Sequence, residues 1–371
     1  MYDCIVVGAG LVGMCTAREL ACAGLKVLVL DQHLAGQEAS WAGGGILSPL
    51  YPWRYPEAVT RLAAWSQAHY PSLVNELISD SGIDSEWQTS GLLILDSHEE
   101  LQAESWAQKY AVNLHCLTET ELYAYEPALA KSFESSVWLP EVSQVRNPRL
   151  VKALRKSLEH HHVTLIEELP VTDIKIENGK VTGVTTEGGD FLSDRVVVAS
   201  GAWTAKLLRE VQVSVPIEPV RGQMLMFNAR PGLVKRIVLW KEHYLIPRRD
   251  GHVLAGSTLE YAGYHKIPTA DAHQQLLDQA ISIVPALANC PVELQWTGLR
   301  PGTQNRGIPY ICQVKSVAGL YVNAGHFRNG VVLAPASARL MADLILGKEP
   351  TFSPELYQIP GKPSVQSLFT P

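Results

Sequence analysis

After Met1-Tyr2-Asp3, Cys4-Ile5-Val6-Val7 runs straight into Gly8-Ala9-Gly10-Leu11-Val12-Gly13, a GxGxxG motif preceded by four apolar residues. Residues 4–7 read as a short buried strand and residues 11–23 as a helix with Leu11, Cys15, Leu20 and Cys22 among its apolar members. Residues 26–30 (KVLVL) read as a second strand, ending at Asp31. This is a βαβ unit. In such a unit the first glycine permits the tight turn, the second lets the backbone approach a pyrophosphate, and the third lets the helix pack close to the strand. The helix N-terminus then turns its positive end to the phosphates, and an acid at the position of Asp31 accepts from a ribose hydroxyl. With 28 glycines in the chain the motif alone is weak. The strand before it, the helix after it and the acid closing the next strand make it specific.

GxGxxG does not separate FAD from NAD. Here a Gly-rich connection, Ser40-Trp41-Ala42-Gly43-Gly44-Gly45, soon follows Asp31, and further nucleotide-like pieces recur at 195–201 and 320–334. A dinucleotide domain closed by segments far downstream favours FAD, which is long and threads through the domain. No second strand–GxGxxG–helix is present, which disfavours a reductase needing NAD(P)H as well.

Along the chain, residues 56–79 look helical but interrupted at Pro71. Asn147-Pro148 starts a helix that runs to the histidines at 160–162. Strands dominate from about 215 to 300, at 219–228, 236–240, 243–247, 252–257 and 292–299, with one helix at about 270–284. After 300 the βα character returns, with a strand at 320–324 and a helix at 330–346. The expected fold class is α/β plus α+β: a discontinuous Rossmann-like FAD-binding domain, and a substrate domain built on a mainly antiparallel sheet flanked by helices. The expected boundaries give residues 1–80, 145–214 and 297–360 to the FAD domain and residues 81–144 and 215–296 to the substrate domain. Residues 361–371 form a C-terminal tail.

Charge narrows the partners. Lys and Arg total 31 against 37 Asp and Glu, a net charge of -6 with no basic block. That argues against nucleic acid and against polybasic attachment to a membrane. No basic, apolar leader precedes the first strand and no run of about 18 apolar residues stands out, so neither a secretory signal nor stable membrane insertion is expected. The expected address is the cytoplasm. The six cysteines contain no CxxC pair and read as buried free thiols of a reducing compartment.

Two downstream motifs carry chemistry. Gly325-His326-Phe327-Arg328-Asn329-Gly330 joins a strand to a helix beginning near Val331. Backbone N–H groups there suit negative charge developing on a flavin as it is reduced; His326 itself reads as structural. Gly298-Leu299-Arg300-Pro301-Gly302-Thr303 ends a strand, with Pro and Gly fixing a turn that holds Arg300 at the strand tip. An arginine so placed clamps a carboxylate with two parallel hydrogen bonds, and the Tyr244 hydroxyl can add a third. Arg300 as a surface ion pair and Tyr244 as a cross-strand aromatic stay open as alternatives.

The pieces GAGLVG, SWAGGGI, GLRPGT and GHFRNG, in this order, resemble the D-amino-acid oxidase family of flavoproteins, over nearly the whole chain from residue 2 to about 350. The resemblance implies FAD contacts at Gly8, Gly10, Leu11, Val12, Gly13, Asp31, Gln32, Ala42, Gly43, Gly44, Gly45, Val171, Gly201, His326, Phe327, Arg328, Asn329, Gly330, Val331 and Val332. It implies that Arg300 holds the substrate carboxylate with help from Tyr244 and Arg328, and that Leu259 lines the pocket. Relatives with covalent flavin carry a Cys just after the clamp strand; here that stretch is Pro301-Gly302-Thr303 and Cys312 lies further on, so the FAD is expected to be non-covalent. The implied reaction is oxidative deamination of glycine and other small amino acids (sarcosine, D-alanine) by O2, giving the 2-oxo acid, ammonia or amine, and hydrogen peroxide, in the service of thiazole synthesis. A homo-oligomer and thiazole-synthesis enzymes are the implied partners. The alternatives are a dehydrogenase passing electrons to a quinone, and a flavin-binding interaction protein without turnover.

Two features promise less. Glu159-His160-His161-His162 looks like a metal tract, but three consecutive helix positions point in three directions, so a solvated helix end with no metal is expected. The 51–56 segment, Tyr51-Pro52-Trp53-Arg54-Tyr55-Pro56, borders the site entrance or is simply a rigid loop.

Overall fold

The computed structural model describes residues 1–96, 98–303 and 307–360; the expected tail at 361–371 lies outside them. Cys4–Val7, Val27–Leu30 and Val196–Val198 are apolar on both faces and fully buried. A strand of this kind suits the middle of a parallel sheet covered on both sides. They lie in a six-stranded sheet of order 310–313, 320–324, 196–198, 4–7, 27–30 and 164–166. All its pairings are parallel except that of Tyr310–Gln313 with Leu320–Ala324. The helices Leu11–Cys22, Glu57–Ser81, Asn147–His160 and Gly330–Leu346 pack into one core. A second core forms with the three-stranded sheet of 171–177, 180–186 and 189–192 and the Thr204–Glu210 helix.

The second large sheet has eight strands in the order 292–303, 217–227, 253–256, 243–247, 237–240, 92–95, 135–139 and 115–118. It is antiparallel except where Ile237–Trp240 runs parallel to Leu92–Leu95. The Ala270–Ile283 helix covers one of its faces, with Leu276, Ala280 and Ile283 buried against Leu225, Phe227 and Leu245. Ile217–Phe227 and Val292–Thr303 pair along their whole length. The latter strand passes through residue 297, where the sequence put a domain boundary.

Several expectations need correction. Pro71 does not interrupt its helix, which runs unbroken over Glu57–Ser81. One lost N–H bond is outweighed by burial of Val59, Leu62, Tyr70, Val74 and Leu77 in the core. Arg300 is not at a strand tip, because the strand continues to Thr303. Pro301 faces Pro219 of the neighbouring strand, so the two missing donors fall on the same rung of the ladder. Cys22 and Cys116 are exposed; Cys4, Cys15 and Cys312 are buried. Among the described residues one segment, Phe327–Leu346, is long and apolar enough to cross a membrane by length and composition, yet 67% of its most apolar 18-residue stretch is buried inside the fold. Its apolarity is that of a central helix packed on Leu11–Cys22 and Glu57–Ser81.

Candidate active site

One cavity of ≈ 500 Å³ runs from Asp31 at the end of the second parallel strand to Arg300 on the face of the eight-stranded sheet. Glycines shape its first end. Gly8 has φ +110, and a Cβ there would sit 2.6 Å from the Ala199 carbonyl oxygen. A Cβ on Gly13 would overlap the Gly8 carbonyl, so the Leu11–Cys22 helix lies tight against the turn. Asp31 accepts from the Ala9 N–H at 2.6 Å and from the His33 N–H at 2.9 Å. Burial raises its carboxyl above the usual range, against the pull of those two bonds.

The clamp end is built by two adjacent strands. Arg300 pairs with Val220, and its guanidinium lies along the diagonal over Gly222, where any Cβ would overlap it. Its Nη1 donates to the Thr258 carbonyl at 3.0 Å and its Nη2 to the Ser257 Oγ at 2.8 Å. Only two of its five N–H groups are needed for these bonds. Burial pushes its pKa down from the ordinary arginine value. The Tyr244 ring packs over Gly256, where a Cβ would stand 2.8 Å from it, and both Tyr244 and Arg300 line the cavity.

Arg328 completes this end. Its Nη1 donates to Glu242 at 2.7 Å, and the other oxygen of Glu242 lies 3.9 Å from Arg54. Arg54 in turn stacks 3.7 Å over the Tyr51 ring. This ion-pair chain ties the 51–56 segment to Arg328, while none of residues 51–56 lies in the cavity wall. His326 lines the cavity but is buried, with Nε2 2.8 Å from the Ser337 Oγ. Burial takes its pKa down to about 3, so the ring is neutral.

Most of the anticipated residues lie in the cavity wall. These are Gly8, Gly10, Leu11, Val12, Asp31, Gln32, Ala42, Gly43, Gly44, Gly45, Val171, Gly201, Tyr244, Arg300, His326, Phe327, Arg328, Gly330 and Val331. Gly13, Asn329 and Val332 stand behind it, all three buried in the protein. Leu259 also lies outside the wall and is 45% exposed; Thr258 before it takes the inward place and accepts from the Gln223 N–H. Cys312 is buried in Tyr310–Gln313, away from the cavity.

The sequence reading missed Ser40, Trp203, Gly222 and Met224, all in the wall. Ser40 carries the clearest role: its Oγ accepts from the Leu11 N–H at 2.8 Å, at the start of the helix. Its position beside Trp41 and the three glycines was the available signal. Gly222 could be found only by knowing the strand pairing.

The histidine tract differs from expectation. His160 is exposed, but His161 is only 25% exposed and its Nε2 lies 3.1 Å from Asp80 Oδ2. Both reach Asp80 because the helix ends at His160 and the chain leaves helical geometry at His161. Donor atoms of Asp80, His160 and His161 lie within 4.8 Å of one another. Asp80 is already engaged, however, by Arg18 at 3.0 Å and by the Ser157 hydroxyl at 2.5 Å.

The cavity fits FAD chemically: a glycine cradle under a helix N-terminus, an acid at the ribose position, and the Gly-rich 43–45 segment between that end and the clamp. Comparison with known proteins agrees. A family model described as "FAD dependent oxidoreductase" matches residues 3–344. A glycine oxidase of Pseudomonas aeruginosa is 46% identical over 96% of this chain and 98% of its own. A bifunctional protein ThiO/ThiG of Synechocystis sp. is 31% identical over 98% of this chain but 55% of its own length. The crystal structure of a glycine oxidase from Geobacillus kaustophilus superposes with a TM-score of 0.93 at 30% identity, over 98% of this chain and 99% of the other.

Proposed function

The chain belongs to the FAD-dependent oxidoreductase family, and from that membership we propose that it is an amine oxidase acting on glycine and other small amino acids, sarcosine and D-alanine among them. For glycine the balanced reaction is glycine + H2O + O2 → glyoxylate + NH3 + H2O2. When bound, non-covalently, FAD supplies the capacity to accept two electrons and return them to O2. The protein supplies orientation. Arg300 holds the substrate carboxylate in a bidentate pair, the Tyr244 hydroxyl donates to the same group, and Arg328 adds positive charge. No dedicated general base is required, because the neutral amine is the reactive form; the neutral, buried His326 suits a structural role.

The observation that carries this reading is Arg300. Its guanidinium is fixed by Thr258 and Ser257 from one side, lies over a glycine, and keeps N–H groups for a ligand in the cavity. We assign residues 1–80, 145–214 and 307–360 to the FAD domain, and residues 81–144 and 215–303 to the substrate domain, because the Val292–Thr303 strand pairs along its whole length with Ile217–Phe227. The relatives named bifunctional protein ThiO/ThiG join a segment like this chain to a second part. That supports a link between this oxidase and thiazole synthesis.

The test is oxygen consumption with glycine, sarcosine and D-alanine. Stoichiometric peroxide with glycine supports the proposal. Dye reduction without peroxide supports the quinone-linked dehydrogenase. A flavin that stays oxidised with all three amines would leave only binding without turnover.

A further inference from the structure

Arg248 stands behind the cavity and has no part in the clamp. It follows the His243–Pro247 strand that carries Tyr244, and it is buried to 8% exposure. Its Nη1 donates to Gln144 Oε1 at 2.7 Å and to the Val145 carbonyl at 2.9 Å, and its Nη2 to the Gly44 carbonyl at 2.9 Å. All three acceptors are neutral. The nearby acids Glu86 and Asp250 are taken by Arg146, at 3.3 and 2.7 Å. Among the described residues no carboxylate makes an ion pair with Arg248. A buried guanidinium without a carboxylate partner is costly, so its place next to this backbone calls for an explanation.

The Gly44 carbonyl is the informative partner. The Gly44–Gly45 peptide is trans, so the Gly45 N–H points to the side opposite the carbonyl that Arg248 holds. Gly44 and Gly45 line the cavity, and among the described residues the Gly45 N–H has no protein acceptor. The Gly45 carbonyl is separately fixed by the Val145 N–H at 2.9 Å, and Gly45 has φ +76. The segment is therefore locked from behind and leaves one free donor in front. A peptide whose carbonyl accepts from a cation is polarised, and its N–H becomes a stronger donor.

We propose that Arg248 is a positioning residue for the cofactor: it fixes the Gly44–Gly45 peptide with its N–H toward the flavin, and through that peptide its charge favours the reduced, more negative state. This rests on the FAD reading above and adds a residue that reading does not use.

The test measures FAD affinity by titrating apoprotein and the two-electron midpoint potential of the holoprotein, for wild type, Arg248→Met and Arg248→Lys. Wild type failing to bind FAD would refute the FAD reading itself. Given a yellow wild type, Arg248→Met should lose at least tenfold in affinity for reduced relative to oxidised FAD, which is a potential lower by about 30 mV. Arg248→Lys keeps the charge but not the three-way fork; it should bind both redox states several-fold more weakly and hold its potential closer to wild type. If Arg248→Met does not fold, Arg248→Gln replaces it in the potential measurement, with the same two outcomes, and Arg248→Lys decides the positioning role. FAD affinity within twofold of wild type in the folded variants overturns the positioning role, and an unchanged potential in Arg248→Met overturns the charge effect.

Discussion

Arg300 and Gly222 work as a pair across two strands, since the guanidinium occupies the volume that any other residue at 222 would fill. A lysine at 300 keeps the charge but cannot form the planar fork. Arg300→Lys should therefore raise KM for glycine by about tenfold or more, the loss of one charge-assisted bond, while the FAD content stays at one per chain; an unchanged KM in steady-state assays would contradict the clamp. His326 makes a different prediction. In the unfolded chain it takes up a proton below about pH 6.5, whereas burial holds the native ring neutral down to about pH 3. The unfolded state thus binds more protons throughout that window, and stability must fall as the pH drops from 6.5 toward 3. The slope is ~1.4 kcal/mol per pH unit from this group. Urea unfolding at pH 7 and pH 5 should show a smaller loss in His326→Gln than in wild type; equal losses would mean that the ring is not held neutral. Both residues were visible in their motifs, but their surroundings were not. Nothing in a linear reading links Arg300 to Ser257, or His326 to Ser337.

At the scale of elements, the Leu11–Cys22 helix is set by what Gly13 lacks. A β-branched side chain there must push the helix off the Gly8 carbonyl, and with it the N–H groups that face the cavity. Gly13→Val should weaken FAD binding by tenfold or more and destabilise the fold by ~1–3 kcal/mol, the usual overpacking range. Apoprotein titration and thermal melting check both, and wild-type affinity would contradict the cradle. This element was readable because every signal for it is local: apolar strand, glycine spacing, apolar helix. Proline misled at Pro71 and Pro301 for the same reason. Both residues are local stop signals, but burial of the Glu57–Ser81 helix in one case, and an opposing Pro219 in the other, let the element continue. Leu259 was placed by resemblance, and the inward turn of Thr258 leaves it outside.

In the whole molecule, the parallel sheet takes strands from residues 4 to 324 and the mainly antiparallel sheet from 92 to 303, so the two sheets are interleaved along the chain. The cavity between them joins residues that are neighbours only after both have formed, which is why Trp203, Met224 and Gly222 could not be foreseen. The net charge of -6 is likewise uninformative locally, because the clamp end gathers Arg300 and Arg328. Under the proposed function a small amino acid enters this end and gives two electrons to the bound cofactor. The most direct measurement is anaerobic titration of the purified yellow protein with glycine, followed by flavin absorbance. One equivalent of flavin should bleach, with glyoxylate formed in equal amount and colour restored by air; flavin that stays oxidised under excess glycine, sarcosine and D-alanine would contradict it.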